Sequence, residues 1–146
     1  MIAHTIQLAL APVFVLVAIG NILNILSTRL GRIVDRARHL QGRHGVTEGM
    51  EHDMVVAEIR VIDQRILLIT RAIRLLVISG LAIGTTVAVL FLEEMVSASL
   101  ERVAAGFFLI SIGLLMWALT LFLRETQIAA ASLRIPRELL ELHRKI

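Results

Sequence analysis

Three long apolar segments without a charged side chain constrain this sequence more than any other feature. They cover residues 6–28, 75–92 and 103–123. A helix of about 20 apolar residues crosses the roughly 30 Å hydrocarbon core of a bilayer, so each segment can span it, the second with little to spare. None of the segments alternates polar with apolar residues as the strands of a membrane barrel do. We therefore expect an all-α integral membrane protein with three transmembrane helices.

Composition agrees with this expectation and removes several other classes of protein. Hydrophobic residues make up 57% of the 146-residue chain, which exceeds the usual share in soluble domains. The first segment lacks the basic start and the cleavage pattern of a secretory signal peptide, so we expect it to remain as a span. The chain has no cysteine, which excludes disulfides and thiolate metal sites.

The basic residues predict the orientation of the chain. Of the 15 lysines and arginines, only Arg102 lies between the second and third segments, where it accompanies Glu93, Glu94 and Glu101. The positive-inside rule assigns the side that carries the other basic residues to the cytoplasm. We expect a multi-pass protein of the bacterial inner membrane, with its N-terminus outside and its C-terminus cytoplasmic. No aromatic residue interleaves the arginines, so we expect no nucleic-acid binding.

The sequence between the first two segments predicts a pair of long helices. Apolar residues at spacings of three and four continue the first helix to about Gln41, before Gly42 and Gly45. The second helix, with Thr47 as its expected N-cap, carries a heptad seam that continues into the second span. Its members are Val55, Ile59, Ile62, Ile66, Ile69, Ile73 and Leu76. We expect an antiparallel cytoplasmic hairpin whose seam either packs its two arms together or also faces a neighbouring subunit.

These patterns divide a single membrane domain into six parts. They are a first transmembrane helix (residues 5–28), a cytoplasmic helical hairpin (29–74), a second transmembrane helix (75–92), an outer loop (93–102), a third transmembrane helix (103–123) and a cytoplasmic amphipathic tail (124–146). Within the tail, Pro136 is a favourable first residue for a short helix.

A polar stripe on the first transmembrane helix is the main candidate for a functional site. Asn21, Asn24 and Thr28 occupy one face at i, i+3 and i+7. Amides that face lipid are costly, so these side chains either bond to neighbouring helices or line a water-filled path in a ring of subunits. Further out, the same face carries the apolar residues Leu10, Phe14 and Val17, which would gate such a path by dewetting.

Small residues also recur at helical spacing in the other two spans. The second span carries Gly80, Gly84 and Ala88, and the third carries Gly106, Gly113 and Thr120. Such residues let helix backbones approach closely, within one chain or between subunits. Since three spans bury little surface alone, we expect a homo-oligomer. Together with the polar stripe, this predicts a homo-oligomeric, channel-like protein with a polar inner vestibule and an apolar outer gate.

Arginines near the inner ends of the spans support an alternative function. Each basic side chain at this depth contributes about 1 kcal/mol of attraction to anionic headgroups. The candidates for contact with lipid headgroups of the inner leaflet are Arg29, Arg32, Arg71, Arg74 and Arg124. The alternative is a structural or accessory membrane protein whose cytoplasmic hairpin docks a partner or anionic lipid.

The predicted tip of the hairpin holds several titratable side chains. They are His39, His44, Glu48, Glu51, His52 and Asp53. They either bind a proton or a divalent cation, or form an exposed polar turn; we favour the turn and expect no metal site and no cofactor. No arrangement of nucleophile, base and oxyanion donors is visible along the chain, so we expect no enzyme.

Four short runs resemble one known family. They are APVF at residues 11–14, NILSTRLGRIVDRAR at 24–38, TRAI at 70–73 and FLRE at 122–125. The chain resembles a bacterial membrane-protein family of unknown function, domain-of-unknown-function family 2721. The resemblance implies three spans with a cytoplasmic hairpin, and it brings no established activity and no catalytic residues.

Overall fold

The computed structural model describes residues 2–96 and 99–132, and the regular elements within them are α-helices. They are α1 (Ile2–His44), α2 (Gly49–Val96) and α3 (Glu101–Ser132). At 1.5 Å per residue these helices are about 65, 70 and 50 Å long. All three are long and apolar enough to cross a membrane. The prediction of an all-α chain with three candidate spans is confirmed.

The helices continue well beyond the apolar segments. α1 runs through Pro12 and Gly42 and ends at His44, and α3 continues to Ser132. The predicted helix at Pro136 lies outside the described residues.

The N-cap prediction for α2 is wrong. The helix begins at Gly49, whose φ of 64° lies in the left-handed region that glycine adopts without strain. The hydroxyl of Thr47 instead donates to the carbonyl oxygen of Arg43 at 3.1 Å, in the last turn of α1.

A heptad seam of large aliphatic side chains joins α1 to α2. The ion pairs Arg36–Glu58 and Arg43–Glu51 show that the two helices run antiparallel. The buried members, seven residues apart in each helix, are Ile19, Leu26, Ile33 and Leu40 in α1 and Val55, Ile62, Ile69, Leu76 and Ile83 in α2. The seam predicted for α2 thus packs the two arms of one chain together.

A second seam, built from small side chains, joins α2 to α3. Its members, again seven residues apart, are Ala72, Ser79 and Thr86 in α2 and Ala104, Ser111 and Ala118 in α3, and the much larger Glu125 occupies the next heptad position of α3. At its centre the hydroxyl of Ser79 donates to the carbonyl oxygen of Ser111 at 2.8 Å, and that of Ser111 donates to the carbonyl oxygen of Ser79 at 2.9 Å. Small residues permit this close approach of two backbones.

Most of the glycines that were predicted to mark close helix contacts do not do so within the chain. A Cβ atom built on Gly84, Gly106 or Gly113 would meet nothing within 4 Å. Gly80 does lie against α1, where such an atom would be 3.7 Å from Leu16.

α2 is the central helix of the bundle, because it packs against both other helices. α1 and α3 pack on neighbouring faces of α2, and few of their backbone positions come close to each other. Grooves remain between α1 and α3, with residues of α2 in their lining. We call the end where α1 leads into α2 the hairpin end, and the opposite end the loop end.

Candidate functional site

The predicted pore-lining and gating residues form one continuous stripe on the outside of α1. Asn21, Asn24 and Thr28 are exposed, and so are the three apolar members towards the loop end. The exposed fractions of those three are 49% for Leu10, 70% for Phe14 and 58% for Val17. The stripe lies on a different face from the buried residues of α1, so none of the residues that the structure describes covers it. We call these six residues the α1 outer stripe.

The two amides of the stripe make no side-chain hydrogen bond within the described part of the chain. No described residue forms a hydrogen bond with the side chain of Asn21 or Asn24. The hydroxyl of Thr28 donates to the carbonyl oxygen of Asn24 at 2.9 Å, which satisfies the hydroxyl locally. The asparagines therefore hold unused hydrogen-bonding capacity on the surface of the bundle.

A buried carboxylate at the hairpin end joins all three helices. Glu125 of α3 has an exposed fraction of 0%, and its two oxygens accept from arginines of the two other helices. The Nη2 atom of Arg29 in α1 lies 2.7 Å from Oε2, and the Nε atom of Arg65 in α2 lies 2.9 Å from Oε1. We call Glu125, Arg29 and Arg65 the three-helix junction.

Heptad geometry explains why the junction forms at this place. Glu125 follows Ala118 by seven residues on the face of α3 that packs on α2, and Arg65 precedes Ala72 by seven on the matching face of α2. An isolated buried carboxylate would be very costly, whereas one paired with two guanidinium groups is compensated. The junction also supplies a polar contact between α1 and α3, which otherwise barely meet.

The guanidinium of Arg29 has further contacts and an unused donor. Its central carbon lies 5.3 Å from the centre of the Phe122 ring, within the range of a cation–π interaction. Its Nε atom is buried and has no hydrogen-bond partner among the described residues. Arg29 is thus fixed in direction by Glu125 and Phe122, while part of its donor capacity stays free.

The arginines proposed as headgroup contacts fall into two groups. Arg32, Arg71, Arg74 and Arg124 are exposed side chains on the outside of the bundle. Arg29 is partly buried in the three-helix junction. Sequence reasoning counted Arg65 and Glu125 only as charges, although the seven-residue spacing of both from the small-residue seam was a usable signal.

A groove of about 380 Å³ opens beside the junction, between α1 and α3. Three arginines line it, namely Arg29, Arg32 and Arg65, together with the small residues Ala129 and Ala130 of α3. We call it the arginine groove. Its lining is positively charged, and the small alanine side chains on α3 leave space opposite the arginines. The groove is therefore suitable for an anionic group.

The tip of the hairpin carries exposed contacts of a simpler kind. Arg43 pairs with Glu51, and the rings of His44 and His52 lie with their centres 4.6 Å apart. Within residues 2–96 and 99–132, no three histidine, aspartate or glutamate side chains come together as a metal site requires. Further along the arm, the hydrogen bond from Arg36 to Glu58, with the charge of that glutamate, raises the pKa of Arg36.

Comparisons with known proteins give one match. A family model described as a protein of unknown function (DUF2721) matches residues 9–135. No curated protein and no solved structure matches the chain. The matched range includes the α1 outer stripe, the three-helix junction and the arginine groove.

Proposed function

Since the chain belongs to the DUF2721 family, whose description assigns no function, we propose a function from its own geometry: a homo-oligomeric, channel-like membrane protein. In this proposal α1 helices from several copies face one another through the α1 outer stripe. The observation that carries it is the outward position of Asn21 and Asn24, since membrane helices place such side chains against protein or water.

The depth of the stripe in a bilayer can be argued from the register of the helices. In the antiparallel pair of α1 and α2, Arg36 lies level with Glu58. Counting equal numbers of residues along both helices towards the loop end places Arg29 level with Arg65 and Asn21 level with Ile73. Glu125 contacts both Arg29 and Arg65, which supports this register. Hydrocarbon of about 30 Å takes about 20 helical residues. A slab that begins beside Arg74 therefore ends near Glu94 at the loop end.

This placement divides the stripe into two functional halves. Leu10, Phe14 and Val17 lie within the hydrocarbon, and Asn21 lies at its edge on the hairpin side. Asn24 and Thr28 follow about 6 and 12 Å beyond that edge, at 1.5 Å per residue. With the hairpin in the cytoplasm, as the arginine distribution favours, the polar half is an inner vestibule and the apolar half an outer gate. Such a path stays closed while the apolar half is dry.

Cysteine cross-linking in native membranes tests the assembly. The chain has no cysteine of its own, so each single substitution reports one position. Phe14→Cys and Asn24→Cys should form disulfide-linked dimers on mild oxidation, because the two stripes face each other. Leu109→Cys is the matched control, since Leu109 is 69% exposed on the outside of α3. Equal cross-linking at all three positions, or none at the stripe, would refute the α1 interface.

Conductance of the purified protein in planar bilayers tests the channel. Phe14→Ala should raise the open probability because it widens and wets the apolar half. Phe107→Ala is the control, an exposed phenylalanine of α3 outside the stripe. Absence of conductance for wild type and Phe14→Ala under all conditions of pH, Ca²⁺ and voltage would exclude the channel but leave the assembly to the cross-linking test.

A second candidate is an accessory membrane protein whose hairpin docks another protein. The observation that favours it is the length of the two arms, which continue about 30 Å beyond the level of Asn24 at 1.5 Å per residue. Affinity purification from native membranes distinguishes the candidates: a stoichiometric second protein supports docking, whereas recovery of this chain alone refutes it.

A further inference from the structure

We propose that the arginine groove binds the phosphate groups of an anionic phospholipid, and that the three-helix junction holds the site in its binding geometry. This inference does not depend on the channel, because the groove is lined by α1, α2 and α3 of one chain. It differs from a general attraction of surface arginines, since it names one cavity between these helices, with the junction beside it.

The charges of the groove leave a surplus for a ligand. Arg29, Arg32 and Arg65 contribute three positive charges, and Glu125 of the junction contributes one negative charge. No described residue forms an ion pair with Arg32. The local net charge is therefore +2, which a headgroup with two phosphates matches better than one with a single phosphate.

The donors that face a ligand are already oriented. Arg29 and Arg65 each use one nitrogen atom on Glu125, and a guanidinium has five N–H groups in a planar fork. This fork matches the oxygen atoms of a phosphate group in a bidentate arrangement. Because Glu125 fixes both side chains before a ligand arrives, less conformational entropy is lost on binding.

The two arginines of α1 extend from the groove towards the membrane. By the register above, Arg29 lies about 14 Å beyond Arg74, where the slab begins, at 1.5 Å per residue. Polar headgroups reach about 5–8 Å beyond the hydrocarbon on each side. Helix side chains lean towards the helix N-terminus, which for α1 is the loop end, so the long side chain of Arg29 brings its guanidinium close to the headgroup layer. Ala129 and Ala130 form the wall on α3, so no long side chain fills the space where a headgroup would lie.

Lipid binding to the full chain in detergent, measured by native mass spectrometry, tests the proposal. The probes are cardiolipin with two phosphates, phosphatidylglycerol with one, and zwitterionic phosphatidylcholine. We expect affinity to fall in that order. Inorganic phosphate and glycerol 3-phosphate, added as competitors at millimolar concentration, should leave lipid binding unchanged. Displacement of the lipid by either competitor would assign the site to a soluble phosphate and overturn the lipid.

Matched variants separate the groove from the rest of the basic surface. Arg32→Gln should weaken cardiolipin binding about fivefold, the effect of one basic side chain near an anionic headgroup. Arg38→Gln removes the same charge from an exposed position of α1 outside the groove and should change binding less than twofold. An equal loss in both variants, or no loss in Arg32→Gln, would overturn the site.

A second pair of variants blocks the groove without removing an arginine. Ala130→Glu places a carboxylate in the groove and should reduce cardiolipin binding about tenfold or more, because it competes for the guanidinium groups. Ala131→Glu is its control on the neighbouring groove between α2 and α3. Both positions are exposed, so unchanged melting temperatures should accompany these results. Full binding by Ala130→Glu would contradict the proposal.

Discussion

Arginine–glutamate pairs occur in two regions of this protein, and burial makes them different. At the three-helix junction, Glu125 is fully buried between guanidinium groups from two other helices. On the hairpin arms, Arg36 and Glu58 are side chains exposed by 50% and 41%. The chemical groups and the N–O distances are alike, but the first carboxylate has lost its water and the second has not.

The difference shows that the contribution of an ion pair to stability cannot be judged from its N–O distance alone. An exposed pair contributes about 0–1 kcal/mol, since water competes with each partner. A buried pair is costly to form and still more costly to break, because removing one partner leaves a desolvated charge. Breaking the junction should therefore destabilise the bundle where α1 and α3 meet, whereas breaking a hairpin pair should change the stability only slightly.

The largest expected effect follows from Glu125→Ala. It leaves Arg29 and Arg65 facing each other without a counter-charge, and we expect a loss of about 3 kcal/mol, at the low end for a broken buried pair. The low end applies because the two arginines keep side-chain exposures of 32% and 21%. Chemical unfolding in mixed micelles, followed by Trp117 fluorescence, measures it. Glu58→Ala is the matched control, and equal losses would remove the distinction between the regions.

Replacing the whole junction by apolar residues should recover most of that loss. In the variant Glu125→Leu with Arg29→Met and Arg65→Met, no charge remains buried, and such replacements are often neutral or stabilising by about 1–4 kcal/mol. The same unfolding assay provides the comparison with Glu125→Ala. A triple variant as unstable as the single one would show that the junction stabilises the bundle in its own right.

A smaller effect is expected for the hydroxyl pair at the centre of the α2–α3 seam. Ser111→Ala removes one of the two reciprocal hydrogen bonds, and we expect a loss of about 0.6–1.7 kcal/mol, as for other hydrogen bonds between membrane helices. Thr85→Ala, whose exposed hydroxyl donates only within its own helix, should leave stability unchanged. A loss in Thr85→Ala equal to that in Ser111→Ala would show that contact between helices is not the cause.

The smallest effect is expected for Glu58→Gln on the hairpin arm. The free energy of unfolding should fall by at most about 1 kcal/mol, and added salt should reduce this loss. The bond to Glu58 and its charge raise the pKa of Arg36, so the stabilisation is complete below the ordinary arginine pKa. It is lost only as pH rises through the raised pKa. The stability difference between wild type and variant should therefore be flat from about pH 6 to pH 10. A difference that changes within this window would contradict the assignment.

Local periodicity made the three spans and the aliphatic seam of α2 predictable. Residues such as Ile62, Ile69 and Leu76 repeat at the heptad spacing and are large, so the face they occupy is clear from sequence. The ends of the helices were less predictable, since the chain passes through Gly42 without leaving the helix. A glycine weakens a helix, but packing on α2 outweighs that weakening.

The small-residue seam that α3 uses within the chain has the predicted period but another phase than the glycine pattern, which stays a prediction for contacts between subunits. Gly106 and Gly113 repeat every seven residues, and so do Ala104 and Ser111, two positions away. A period shows that a helix has a distinct face, but the partner helix decides which face it contacts. The sequence alone likewise could not decide whether Asn24 points outwards, because it allowed either an amide hydrogen-bonded to a neighbouring helix or a solvated one.

The junction itself was beyond prediction from local pattern. Glu125 meets Arg65 across 60 residues of sequence and Arg29 across 96. A charge at the end of an apolar segment normally indicates only where the membrane ends. Identifying which hairpin arginines pair with Glu125 requires the registers of both seams, and the sequence analysis assigned no register between α2 and α3.

The position of Glu125 in α3, after both of its arginine partners in the chain, has a consequence for biosynthesis. Chains are made from the N-terminus, so Arg29 and Arg65 leave the ribosome well before their shared counter-charge. Until α3 is inserted, the newly made α1–α2 hairpin holds two facing cations that repel each other. Docking of α3 removes this repulsion, so the third helix closes the bundle and supplies the charge that the first two lack.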